Sequence, residues 1–127
     1  MAYRSYESGE TWSVKVLIAD DSALVRKNVR MLLSTVETVS DLREADSVRS
    51  TIEAIETDRP DAVILDLHMT DGSGFEVLSY LKSSSNRPTV IVLTTFAGSS
   101  ERERAISLGA DYFLDKSTEY ERLFELL

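Results

Sequence analysis

A chain of 127 residues with 43% hydrophobic content is one domain of ordinary size, with enough apolar material for a core. A formal net charge of −8 without a dense basic run disfavours direct nucleic-acid binding, which needs clustered Lys and Arg. Cysteine is absent, which excludes disulfides and thiolate chemistry and suits the cytoplasm; no apolar run is long enough to span a membrane.

Residues 1–13 are polar, carry Tyr3, Tyr6 and Trp12 without periodicity, and lack the pattern of a signal peptide. They are expected to form a flexible N-terminal arm ahead of a single domain over 14–127, although Trp12 reads equally well as the start of the first strand. Val14 to Ala19 is that strand, and it runs into Asp20-Asp21. A helix follows, with Val25, Val29 and Leu32 at helical spacing, Leu24 and Leu33 beside them, and Asp21 or Ser22 as cap. Thr38 to Ala45 is weakly apolar and reads as an edge strand. Asp46 is expected to cap a helix whose Val48, Ile52 and Ile55 face inward, and Asp58-Arg59-Pro60 ends it. Ala62-Val63-Ile64-Leu65 is a strand buried on both faces, and it runs straight into Asp66. After the loop from Leu67 to Gly72, Ser73 and Glu76 have capping-box spacing and open a third helix with Val77, Leu78 and Leu81 inward. Val90 to Leu93 is a buried strand ending in Thr94-Thr95. Ser100 to Glu103 is read as a second capping box, opening a thin-faced and exposed helix that Gly109 stops. Asp111 to Leu114 is the last strand, followed by Asp115-Lys116. Thr118 to Glu121 is read as a third box, opening a helix with Tyr120, Leu123, Phe124 and Leu127 on one stripe.

Strands alternating with helices predict an α/β fold, a doubly wound parallel sheet covered on both faces. A flavodoxin-like strand order 2-1-3-4-5 and a Rossmann-like order both fit, and in both the ligand sits at the carboxyl ends of the strands. That rim collects Asp20, Asp21, Asp66, Thr94 and Lys116. An aspartate after a strand is by itself an ordinary loop starter, but four polar strand ends on one rim form a site. Three close carboxylates repel one another, and a hard divalent cation relieves that; oxygen ligands suit Mg²⁺, which favours phosphate oxygens. Asp66 is then a nucleophile for a phosphoryl group, with Lys116 pairing with the incoming phosphate and the Thr94 hydroxyl donating to one of its oxygens. A flavin or nucleotide site would want a Gly/Ser/Thr-rich cradle after the first strand, where this chain has two negative charges. A phosphatase would want a general acid and a cap, and the sequence displays neither.

With these residues in place, the chain resembles the receiver domain of bacterial two-component response regulators, of the stand-alone, chemotaxis-regulator type. The likeness runs from Val14 to Leu127. It rests on Asp20-Asp21, on Val63-Ile64-Leu65-Asp66-Leu67-His68-Met69, on Gly74 and Thr94, and on Gly109-Ala110-Asp111-Tyr112-Phe113-Leu114-Asp115-Lys116. The resemblance implies a single-domain (βα)5 flavodoxin-like sandwich with a parallel five-stranded sheet in order 2-1-3-4-5. It implies that Asp66 accepts phosphate from a histidine kinase or phosphotransfer protein. It further implies that Asp21, Asp66 and the His68 backbone carbonyl ligate Mg²⁺, with Asp20 acting through water. Lys116 would bind the phosphate, and Thr94 and Phe113 would form a switch pair read out by the fourth helix, fifth strand and fifth helix. Such a chain is a signalling domain that catalyses its own phosphorylation and dephosphorylation, not an enzyme acting on other substrates. Its expected partners are the phosphodonor and an unknown downstream protein, with no nucleic acid, no membrane and a possible homodimer. Stand-alone action and origin in a longer protein both fit.

Three positions depart from the family pattern. Ser117 and Thr70 stand where proline is usual, and Thr95 where a small residue is usual. Thr95 is expected to slow phosphotransfer or dephosphorylation, which Thr95→Ala tests. These departures leave a second reading, a degenerate, non-phosphorylated receiver acting only as an interaction module. A third, metal-dependent phosphoester hydrolysis, would require multiple turnover.

Overall fold

The computed structural model describes residues 4–5, 12–85 and 87–127. In chain order these form β1 (Trp12–Ala19), α1 (Ala23–Leu33), β2 (Val39–Ala45), α2 (Val48–Asp58), β3 (Ala62–Leu65), α3 (Gly74–Lys82), β4 (Thr89–Thr94), α4 (Ser99–Ser107), β5 (Tyr112–Asp115), a 3₁₀ turn at Tyr120–Arg122, and α5 (Leu123–Leu126). The five strands are parallel in the order 2-1-3-4-5, as the resemblance implies. Trp12 does open the first strand, and Arg4–Ser5 pairs antiparallel with Trp12 and Ser13. The rest of the expected arm lies outside the described residues.

Alternate side chains of the central strands feed two separate cores. Leu17, Val63, Leu65, Val90, Val92 and Phe113 pack against α2, α3 and α4 through Ile55, Val77, Leu78, Leu81 and Ala105. Val16, Ile18, Ile64, Ile91, Leu93 and Leu114 pack on the opposite face against Val29 and Leu33 of α1 and Leu123 of α5. Tyr112 joins the second cluster and Phe113 the first, as neighbours on a strand must. No helix among the described residues is long and apolar enough to cross a membrane.

Several helix ends differ from expectation. The N-cap of α2 is Ser47, not Asp46; the Ser47 hydroxyl accepts from the Ser50 amide, while Ser50 reaches back. The box at Ser73 and Glu76 forms as the spacing predicts. The box at Ser100 does not: α4 starts at Ser99 behind Gly98, which has no side chain to cap with, so Ser100 already lies inside the helix. The box at Thr118 is also missing. There the Glu119 carboxylate instead accepts the Asp115 amide at 3.0 Å, and the chain tightens into the 3₁₀ turn. Leu24 and Phe124, placed beside inward-facing residues by their spacing, are exposed.

Candidate functional site

The backbone ladder extends one bond beyond the strands and so fixes the residues that carry the rim. The Asp66 amide donates to the Ala19 carbonyl at 2.9 Å, the Asp20 amide to Ala45 at 3.0 Å, and the Lys116 amide to Thr94 at 2.9 Å. Ala19 pairs with Leu65 in register, so Asp20 and Asp66 leave adjacent strands side by side. Gly74 sits against the Asp66 carbonyl oxygen, where a Cβ would collide with backbone; only glycine lets the following helix begin this close.

Asp20, Asp21 and Asp66 each offer an oxygen, and these lie within 4.8 Å of one another. Asp20 and Asp66 are buried and Asp21 is exposed, so the cluster opens to solvent on the Asp21 side. Lys116 Nζ bridges the two buried carboxylates, at 2.8 Å from Asp20 Oδ2 and 3.3 Å from Asp66 Oδ2. Ser117 therefore does not displace the ammonium group. Its amide and hydroxyl bond to Asp115 Oδ1 at 2.9 and 2.6 Å, a local turn that holds the loop without proline.

The second oxygen of Asp66, Oδ1, is buried and makes no hydrogen bond. Burial pushes the Asp66 carboxyl above the usual carboxylate range; the Lys116 charge opposes this, the Asp20 charge adds to it, and the Thr94 hydroxyl and the His68 backbone amide oppose it more weakly. An unsatisfied buried carboxylate oxygen is costly. A cation held by the three carboxylates would satisfy it, so the donor set, all hard oxygens and one of them orphaned, fits Mg²⁺.

Thr94 is fully buried at the end of β4; its Oγ1 accepts from the Phe96 amide at 3.2 Å, and its hydroxyl favours the ionised form of Asp66. Phe113 is buried, with Arg102 of α4 lying 5.4 Å from its ring centroid and donating to its carbonyl at 3.2 Å. His68 is exposed and its ring meets that of Phe96, centroids 3.8 Å apart. This pair joins the two loops that leave Asp66 and Thr94.

Four contributors have no clear signal in the sequence. Arg26 donates to the Asp20 carbonyl at 2.7 Å while Glu44 holds its Nε at 2.9 Å. Burial would raise the Glu44 pKa, but hydrogen bonds from Arg30 and Arg26 hold it below the ordinary value. Asp71 reaches the start of α2. Arg102 and Arg104 stay exposed while their guanidinium groups lie against the rings of Phe113 and Phe75. The Arg26–Glu44, Asp71–α2 and Arg104–Phe75 contacts join segments far apart in sequence, and neither spacing nor periodicity marks any of the set. Phe96, two residues past Thr94, carries no signal in the sequence either.

Residues 16–127 match the family described as "Response regulator receiver domain". Response regulator MprA of Mycolicibacterium vanbaalenii is 38% identical over 87% of this chain and 47% of its own length. Transcriptional regulatory protein YdfI of Bacillus subtilis is 32% identical over 89% of this chain and 53% of its own. The chain thus spans about half the length of these relatives. Among solved structures, a LuxR-family DNA-binding response regulator from Staphylococcus aureus superposes with a TM-score of 0.81 at 28% identity, covering 88% of this chain and 93% of that one. A signal receiver domain from Vibrio parahaemolyticus gives 0.83 at 27% identity, over 90% and 86%. With the family match covering residues 16–127 and relatives above 30% identity covering more than two thirds of it, the chain belongs to the response regulator receiver domain family.

Proposed function

We propose that this receiver domain takes a phosphoryl group onto Asp66 in a Mg²⁺-dependent reaction and thereby switches a protein-binding surface. The observation that carries the reading is the Asp66 carboxylate itself: buried, with one oxygen lacking a close hydrogen bond and the other held by Lys116, in a carboxylate cluster whose third member, Asp21, is exposed. The donor is a phosphohistidine of a histidine kinase or phosphotransfer protein. An Asp66 oxygen attacks phosphorus, the P–N bond breaks, and the imidazole leaves with the electron pair. Asp21, Asp66 and the His68 carbonyl would hold Mg²⁺, with Asp20 acting through water; the ion supplies charge neutralisation for the phosphoryl oxygens. Lys116, already between Asp20 and Asp66, pairs with a phosphoryl oxygen. Thr94 turns its hydroxyl proton to another, and Phe113 responds to that movement, altering the surface of α4, β5 and α5. The protein acts in the cytoplasm, through an unidentified protein partner and without direct nucleic-acid contact.

The test is intact mass after incubation with Mg²⁺ and acetyl phosphate. One added phosphate, dependent on Mg²⁺ and absent in Asp66→Ala, is the expected result. No addition where a known receiver is labelled would instead favour a degenerate interaction module, and multiple turnover of a phosphoester would favour a hydrolase. Light scattering before and after labelling reads any phosphate-driven homodimer.

A further inference from the structure

The segment after Asp66 is tied to a helix that contributes no residue to the acidic pocket. His68 and Met69 pair antiparallel with Ser73 and Gly72, which leaves Thr70 and Asp71 at the tip of a small hairpin. Its base is closed by the Gly74 amide, which donates to the Leu67 carbonyl at 2.9 Å. Its tip is held by Asp71, whose carboxylate straddles the start of α2. The Val48 amide donates to Oδ1 at 2.7 Å and the Arg49 amide to Oδ2 at 3.1 Å.

The first amides of a helix have no partner within it. In α2, Ser47 Oγ takes the Ser50 amide at 3.0 Å, and the Thr51 amide reaches the Ser47 carbonyl at 3.0 Å. The two remaining donors, on Val48 and Arg49, are those that Asp71 satisfies. The carboxylate also meets the positive end of the helix dipole. Two charge-assisted bonds therefore fix the hairpin tip to an element that the sheet already holds in place. Between base and tip lies the His68 carbonyl.

We propose that Asp71 is a positioning residue for the metal site: by pinning the hairpin to α2 it sets where the His68 carbonyl points. This rests on the Mg²⁺ reading given above. A side chain that orients a ligand without touching the ion changes affinity about 10- to 100-fold when removed.

The test measures the Mg²⁺ dissociation constant by titration calorimetry and the metal-free stability by urea unfolding in chelator. It compares the wild-type chain with Asp71→Ala, Asp71→Asn and Ser47→Ala. Asp71→Ala is expected to weaken Mg²⁺ binding about tenfold or more. Asp71→Asn, whose amide oxygen still accepts a hydrogen bond, recovers part of that loss. Ser47→Ala removes a cap from the same helix end without touching the hairpin; it lowers metal-free stability but keeps the dissociation constant within about twofold of wild type, if positioning rather than helix stability is at issue. Wild-type affinity in Asp71→Ala would overturn the inference while leaving the Mg²⁺ site intact. Equal weakening by Ser47→Ala would overturn it too, because the effect would then run through helix stability. Absence of Mg²⁺ binding by the wild-type chain would overturn the metal reading, and this inference with it.

Discussion

Burial raises the pKa of Asp66, so the folded state holds its proton more tightly than the unfolded chain does. The stability associated with that proton is fully present below the ordinary carboxylate value, near pH 4, and is lost as pH rises through the folded-state pKa. At neutral pH without metal, ionised Asp66 therefore works against folding. Asp66→Asn is expected to unfold at higher urea than wild type at pH 7 in chelator, with the difference closing towards pH 4; a gap that widens on acidification would contradict this account. Lys116 keeps its 2.8 Å partner Asp20 in that variant, so no ammonium is stranded. At the same scale, the His68–Phe96 ring pair joins the loops that follow Asp66 and Thr94. Phe96→Ala is expected to shorten the lifetime of phosphorylated Asp66 by admitting water, read as faster loss of the added mass. An unchanged lifetime would leave the pair as loop packing only.

At the scale of elements, α4 stands apart. Ala105 is its one buried residue, and Ile106 is exposed. A helix with so little apolar contact depends on other attachments. Arg104 supplies one, with its guanidinium carbon 4.1 Å from the Phe75 ring centroid on α3, and Arg102 supplies another on Phe113. Exposed cation–π contacts are worth about 0.5–1 kcal/mol each. Arg102→Ala and Arg104→Ala together are expected to speed amide exchange within α4 while lowering global stability by no more than about 2 kcal/mol. A loss spread evenly over every helix would mean that α4 unfolds only with the whole domain. By contrast α3 buries Val77, Leu78 and Leu81, and Leu81→Ala should cost about 2–5 kcal/mol in unfolding experiments.

At the scale of the whole molecule, the net charge of −8 and the half-buried acidic cluster both oppose the compact state without a cation. A ligand that binds only the folded chain adds about 2.7 kcal/mol at a hundred times its dissociation constant. Mg²⁺ at such excess is expected to raise the Tm of the wild-type chain. The rise should be much smaller in Asp21→Ala, whose exposed carboxylate contributes little to the fold itself, and chelator should reverse it. Equal rises in both proteins would point to general charge screening.

The sequence by itself determined the α/β alternation, the buried strands and the identities of the rim residues Asp20, Asp21, Asp66, Thr94 and Lys116. Each of these rests on local periodicity or on a polar residue directly following an apolar run, and such signals are contained in a few neighbouring positions. The strand order was open between two windings from the residues alone, because no strand carries a mark of its neighbour; register between Ala19 and Leu65 is a tertiary fact. Cap choice also escaped local reading. Ser or Thr followed three residues on by Glu recurs at Ser73, Ser100 and Thr118, yet only at Ser73 does the box close. Only the tertiary structure decided that Lys116 lies between Asp20 and Asp66, that one Asp66 oxygen is orphaned, that Arg26 supports the Asp20 carbonyl, and that Asp71 caps a helix 22 residues away from it in sequence. Apart from Arg26 on Asp20, six residues apart, these are contacts between distant segments, and they exist only once the sheet has brought its carboxyl ends together.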